Sequence, residues 1–138
     1  MPAPTELAER YAALWNEPDP ERRRATVREL WTEDGGQILH PPQEIREQAA
    51  AIGFFATVLE ARGHAALEQR VAIAYERFVA SGEAAFRPRG TPVQLGDVLK
   101  FEWEYAPLDG SAPAGGGTEF VLLAPDGRIR SDYQFIDG

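Results

Sequence analysis

The feature that most constrains the fold is the C-terminal stretch GTEFVLLAPDGRIRSDYQFID, Gly117 to Asp137. Apolar and β-branched residues fill both arms and Pro125-Asp126-Gly127 supplies turn chemistry, which predicts two β-strands joined as a hairpin. In the second arm a period of two sorts Ile129, Ser131, Tyr133 and Phe135 onto one face and Arg130, Asp132, Gln134 and Ile136 onto the other. An aspartate and a glutamine beside an isoleucine on one face, with two aromatics on the other, point to a sheet covered on both sides. They also point to a polar-lined hollow against one side.

The rest of the chain has to supply that cover. Its 138 residues suit one domain, 1–138, able to bury roughly two thirds of its unfolded surface. A net charge of −8, from 22 acidic and 14 basic residues, repels phosphate backbones and anionic membranes. Neither nucleic acid nor a membrane is therefore expected as partner. The basic run Arg22-Arg23-Arg24 spreads around a helix and reads as a solvated face. With no cysteine there is no disulfide, thiolate metal site or cysteine nucleophile, and two histidines without paired spacing argue against zinc. No cofactor is implied. No signal peptide and no apolar run near the ~20 residues of a membrane span is found, so a cytoplasmic location is expected.

Taken in order, Thr5 to Trp15 is a predicted helix with Thr5 as N-cap and Leu7, Tyr11, Leu14 and Trp15 on one face. Asn16-Glu17-Pro18 ends it, and Asp19-Pro20 starts a second helix carrying Val27, Leu30 and Trp31. Thr32 to Gly36 is a breaker and Gln37 to His40 a short strand stopped by Pro41-Pro42. Residues 43–62 form an excursion, helical from Glu44 to Ile52 and ambiguous from Phe54 to Leu59, placed to lid the hollow. Gly63-His64 opens the clearest helix, with Leu67, Val71, Ala74, Tyr75 and Phe78 on one face and Ser81-Gly82 closing it. Strands follow: Ala84 to Arg89, Pro92 to Leu95, and Val98 to Tyr105, where Leu99, Phe101, Trp103 and Tyr105 alternate with Lys100, Glu102 and Glu104. Pro107 to Gly117 is a hairpin loop, not a phosphate cradle, since it feeds a strand. Helices first and strands after predict an α+β protein.

Three stretches, Arg10 to Gly35, Gly63 to Val79 and Asp126 to Asp137, together resemble the nuclear transport factor 2-like superfamily, in particular its SnoaL-like branch. The excursion after His40 is the main departure. The resemblance implies a cone: a curved antiparallel sheet wrapped around a long helix, closed at one end, preceded by two helices and often paired into homodimers. Members include ketosteroid isomerase, polyketide cyclases, limonene epoxide hydrolase and non-catalytic adaptors, so fold alone does not deliver function.

Carried onto this chain, the resemblance puts the ketosteroid isomerase tyrosine at Tyr11, its aspartate base at or beside His40, and its protonated aspartate at Thr118, which cannot play that part. The aspartate that cyclases and epoxide hydrolases carry on their last strand falls at Gln134, which orients but cannot shuttle a proton. Asp132 shares that face and can substitute, although an aspartate near a strand's start is also expected at a wet rim. Imidazole chemistry near neutral pH makes His40 the expected acid/base with Asp132. Tyr11, Trp15, Trp103, Thr118 and Gln134 are the expected substrate contacts, and a small apolar molecule is the expected ligand. Two other readings stay open: a ligand binder without turnover, and an adaptor acting through the outer sheet around Trp103 and Tyr105 or Tyr133 and Phe135. A cone plugged by Phe54, Phe55 or the Gly110 loop would favour the adaptor.

Overall fold

Proline starts both N-terminal helices. In the computed structural model, which describes residues 3–137, α1 spans Pro4–Asn16 and α2 spans Pro20–Leu30. Thr5 lies inside α1, because the fixed φ of Pro4 suits the first helical position and moves the cap back to Ala3. At α2 the Asp19 carboxylate accepts a hydrogen bond from the Glu21 N–H, as an N-cap should. The arginine run is not wholly solvated. Arg23 is buried, its guanidinium donating to the Glu17 and Pro18 carbonyls and lying 4.9 Å from the Tyr75 ring centre.

Then follow β1 (Trp31–Leu39), α3 (Gln43–Ala51), β2 (Leu59–Arg62), α4 (His64–Phe78), β3 (Ala84–Leu95), β4 (Val98–Pro107), β5 (Gly115–Leu123) and β6 (Ile129–Ile136). The two short strands expected after α4 are one strand, irregular between Arg89 and Val93. The six strands form one sheet in the order β2-β1-β6-β5-β4-β3. Every pairing is antiparallel except β1 with β6, which is parallel. The sheet is therefore mixed, where the sequence predicted an antiparallel one, in an α+β fold.

Two irregularities decide which side chains face inward. On β1, Trp31 pairs with Ile129 but Gly36 with Ser131, so Thr32 to Gly35 bulge out and the strand resumes with Gln37 and Leu39 inward. Gly35 permits this because a Cβ there would lie 2.9 Å from the Ile129 carbonyl oxygen. On β6, Leu122 pairs with Ser131 and Leu123 with Ile129, leaving Arg130 extra. That single bulge buries Ile129, Asp132 and Gln134 on the same side, where strict alternation would separate Ile129 from the other two.

Helices α1 and α4 lie on the concave side, α1 against β3 and α4 against β1 and β2. The core they close includes Leu7, Leu14, Val27, Leu30, Trp31, Leu67, Val71, Leu99, Val121 and Ile129. At its centre the Tyr11 ring packs edge-on to Phe101 at 5.0 Å and tilted against Trp31 at 5.8 Å and Trp15 at 5.9 Å. No helix among the described residues is long and apolar enough to cross a membrane.

Candidate functional site

Strand parity and helix spacing bring five polar side chains to the inner end of the cone. Helix α1 contributes Tyr11, β1 Gln37, β5 Glu119, and β6 Asp132 and Gln134. All five are buried, Glu119 and Asp132 with 0% exposure. Burying two carboxyls is costly unless they are hydrogen-bonded. The Tyr11 hydroxyl oxygen lies 2.7 Å from Glu119 Oε1 and 2.7 Å from Asp132 Oδ2. Gln37 Nε2 donates to Tyr11 Oη at 2.9 Å and to Asp132 Oδ2 at 3.2 Å. Trp103 Nε1–H donates to Glu119 Oε2 at 2.8 Å.

Counting hydrogens fixes the charge state. A phenol carries one proton and can donate to only one of its two carboxyl neighbours. The other 2.7 Å contact is a repulsion between lone pairs unless that carboxyl supplies a hydrogen. One of the two acids is therefore neutral. Burial pushes the Glu119 carboxyl well above its usual range, and the charge of Asp132 pushes it further. Burial also raises Asp132, but its protonated neighbour Glu119, hydrogen bonds from Tyr11 and Gln37 and the Arg70 charge pull it back. Glu119 thus holds the proton, and the chain runs from Glu119 Oε1–H to Tyr11 Oη–H to ionised Asp132. Tyr11 itself is driven well above 10.0, first by burial and then by Asp132 and Glu119, so it stays protonated. Asp132 Oδ1 is buried without a hydrogen-bond partner.

Two cavities open beside this cluster. One, of about 330 Å³, lies between α1, α4 and β3 to β6, with Tyr11, Trp15, Phe86, Trp103 and Gln134 in its wall. The other, of about 400 Å³, lies between α4 and strands β1 and β2 and is walled by Gln37, Leu39, Ala61, Ile73 and Arg77. Arg70, Ala74 and Phe78 border both. Phe54, Phe55 and Gly110 line neither, and Phe55 is 88% exposed, so they do not plug the cone. From the excursion it is β2, through Leu59 to Ala61, that walls a cavity.

The sequence-predicted residues divide accordingly. Tyr11, Trp15, Trp103 and Gln134 line the 330 Å³ cavity, and Asp132 sits directly behind Tyr11. Asp132 is at no wet rim. His40 is exposed, lines neither cavity, and sets its ring 6.4 Å from that of Phe135. The reason is parity: the β1 bulge turns Gln37 and Leu39 inward, so position 40 faces out. Thr118 likewise takes the outer face, opposite Phe135 and Glu102. Trp103 and Tyr105 point into the cone, which removes them from any outer docking surface. Sequence reasoning missed Glu119, Gln37 and Arg70. Glu119 is in phase with Val121 and Leu123, a visible signal, but Thr118, Phe120 and Leu122 form an equally apolar alternative face.

Comparison with known proteins agrees with this architecture. A SnoaL-like family protein from Agrobacterium tumefaciens, a proposed isomerase, superposes with a TM-score of 0.75 at 28% identity, covering 97% of each chain. A nuclear transport factor 2-like protein from Exiguobacterium sp. 255-15 gives a TM-score of 0.63 at 19% identity, covering 95% of this chain and 98% of that one. A proposed polyketide cyclase from Sinorhizobium meliloti gives 0.57 at 12% identity, over 97% and 94% of the two chains. No family sequence model matches the chain. No curated protein matches it.

Proposed function

The chain is a nuclear transport factor 2-like protein of the SnoaL-like branch, and on that premise we propose that it performs acid/base chemistry of the isomerase or cyclase type on a small, largely apolar molecule. The observation that carries this reading is the Tyr11 hydroxyl held 2.7 Å from both a neutral and an ionised carboxyl. Tyr11 is the member of the trio that reaches the cavity wall. A substrate oxygen or acidic C–H seated against it meets a hydroxyl backed by one proton donor and one acceptor. When an acidic C–H gives up its proton, the phenol oxygen takes it as the Tyr11 proton passes to Asp132; the C–H electron pair stays on the substrate as an enolate, the cluster loses its single negative charge, and the reverse transfer restores it. Asp132 is the base, Glu119 the proton reservoir, Trp103 and Gln37 hold the two acids, and Trp15, Phe86 and Trp103 supply the apolar wall. The role expected for His40 passes to Asp132.

Exchange of the α-hydrogens of 2-tetralone in D2O, followed by proton NMR, tests the reading. The wild type should accelerate exchange, and Tyr11→Phe and Asp132→Asn should return it to the buffer rate. A second reading is favoured by one observation: neither carboxyl lies on a cavity wall, as in a binder whose acids only fix Tyr11. Binding of the ketone, seen as a raised Tm, with exchange at the buffer rate throughout would select that reading over catalysis.

We propose further that the protein pairs into a homodimer. Phe120, Tyr133 and Phe135 are part-exposed on the outer sheet face, with Phe120 and Phe135 edge-to-face at 5.6 Å, and this patch suits a second copy.

A further inference from the structure

Arg70 is the one charged side chain in the walls of both cavities, and its surroundings say what it is for. Its Nε donates to Gln37 Oε1 and its Nη2 donates to Gln134 Oε1 at 3.1 Å, while the guanidinium lies 5.5 Å from the Trp15 ring centre. Both glutamines are oriented by the carboxyl cluster. Gln37 turns its amide nitrogen to Tyr11 and Asp132, and Gln134 turns its own towards Glu119 at 3.4 Å. An amide with its N–H end on an acid must present its C=O at the other end. Arg70 therefore rests on two neutral oxygens, with no carboxylate in salt-bridge contact among the described residues.

A guanidinium has five N–H donors in a planar fork. Two are used here, and those of Nη1 have no protein acceptor among the described residues. Around them Ala74, Phe78 and Trp15 are apolar. An apolar ligand filling this junction would leave the Nη1 donors without an acceptor, with only Asp132, beyond salt-bridge contact, to balance the charge, whereas a planar oxyanion would take the free edge of the fork with two charge-assisted hydrogen bonds. The net charge of −8 gives the molecule no general attraction for anions. Any preference for one must come from this position, with exposed Arg77 nearby in one wall.

Building on the acid/base reading above, we propose that the ligand is an amphiphilic anion, an apolar ring system bearing a planar oxyanion, in its simplest form a carboxylate, bound at Arg70 where the cavities meet. The cluster and the anchor then act on different parts of one molecule: Arg70 fixes the charged end, and Tyr11 addresses the ring system in the apolar cavity.

Titration of the three tryptophans' fluorescence with 2-naphthoate and with its neutral isostere 2-naphthamide tests this. The wild type should bind the carboxylate about tenfold more tightly, the advantage of charge-assisted over neutral hydrogen bonds. Arg70→Gln, whose amide nitrogen falls at the position of Arg70 Nε and can still donate to Gln37, should bring the ratio to about one with little change for the amide. Arg70→Lys keeps the charge without the fork and should retain part of the preference, so it decides the matter if the glutamine variant does not fold. Equal affinities in the wild type, failure of 2-naphthoate to bind, or a preference that survives Arg70→Gln would each overturn the proposal. The exchange assay uses a neutral ketone and reads Tyr11 and Asp132, so either proposal can fail while the other stands.

Discussion

Replacing Glu119 by Gln removes the most strongly perturbed carboxyl while keeping its shape and a donor for Tyr11, which makes its pH dependence unusually diagnostic. With no exposed surface, Glu119 is pushed up by burial first and by the charge of Asp132 second, from an ordinary value of 4.5. At pH values between 4.5 and the folded pKa, the native protein keeps a proton that the unfolded chain has released. The native state then binds more protons, so stability falls as pH rises. The contribution is complete below 4.5 and is lost progressively as pH climbs to the folded value. Within that window one proton is worth about 1.4 kcal/mol per pH unit. For a chain of this size about 1 kcal/mol moves Tm by roughly 4 °C, so the slope is about 6 °C per pH unit. The amide of Glu119→Gln does not titrate. Thermal unfolding of the two proteins at constant ionic strength, over the first one to two pH units above 4.5, should therefore show the wild type losing ground to the variant at about that rate. Subtracting the curves cancels the acids that Glu119 does not touch. Parallel curves would refute the inference that Glu119 is the neutral partner of the pair.

Other consequences are simpler to read. Gly117→Ala places a Cβ 2.6 Å from Trp103 Cζ2 and 2.8 Å from the Phe135 carbonyl oxygen; denaturant unfolding should show a loss of about 1–3 kcal/mol, and an unchanged midpoint would mean that Trp103 is not held where the site needs it. Phe135→Asp puts a charge in the outer aromatic patch and should shift sedimentation from dimer to monomer with Tm dependent on concentration only in the wild type; a monomeric wild type would remove the dimer from the account.

The fold was legible because its signals are periodic. The spacing of Leu7, Tyr11, Leu14 and Trp15 and of Leu67, Val71 and Ala74 marks two helix faces, and the alternation from Leu99 to Tyr105 marks a strand whose inner side the structure reproduces. Asp132 and Gln134 on one face of β6 follow from the same period. What escaped depends on bulges, which one-residue arithmetic does not reveal. The extra Arg130 lets Ile129 join Asp132 and Gln134, and the loop from Thr32 to Gly35 resets β1 so that Gln37 enters the site and His40 leaves it. Glu119 was hidden differently: two equally apolar faces of β5 compete, and only the pairing with β4 and β6 selects the one bearing the carboxylate. Arg70 was hidden because an arginine beside an apolar helical stripe is ordinarily a solvated one.

Infrared difference spectroscopy in the carboxyl region reads out whether one proton resides on the buried acid pair at neutral pH. The wild type should show a neutral carboxylic acid band at pH 7 that disappears in Glu119→Gln and remains when any exposed carboxylate is replaced. A wild-type spectrum with no neutral acid band at that pH would contradict the placement of that proton.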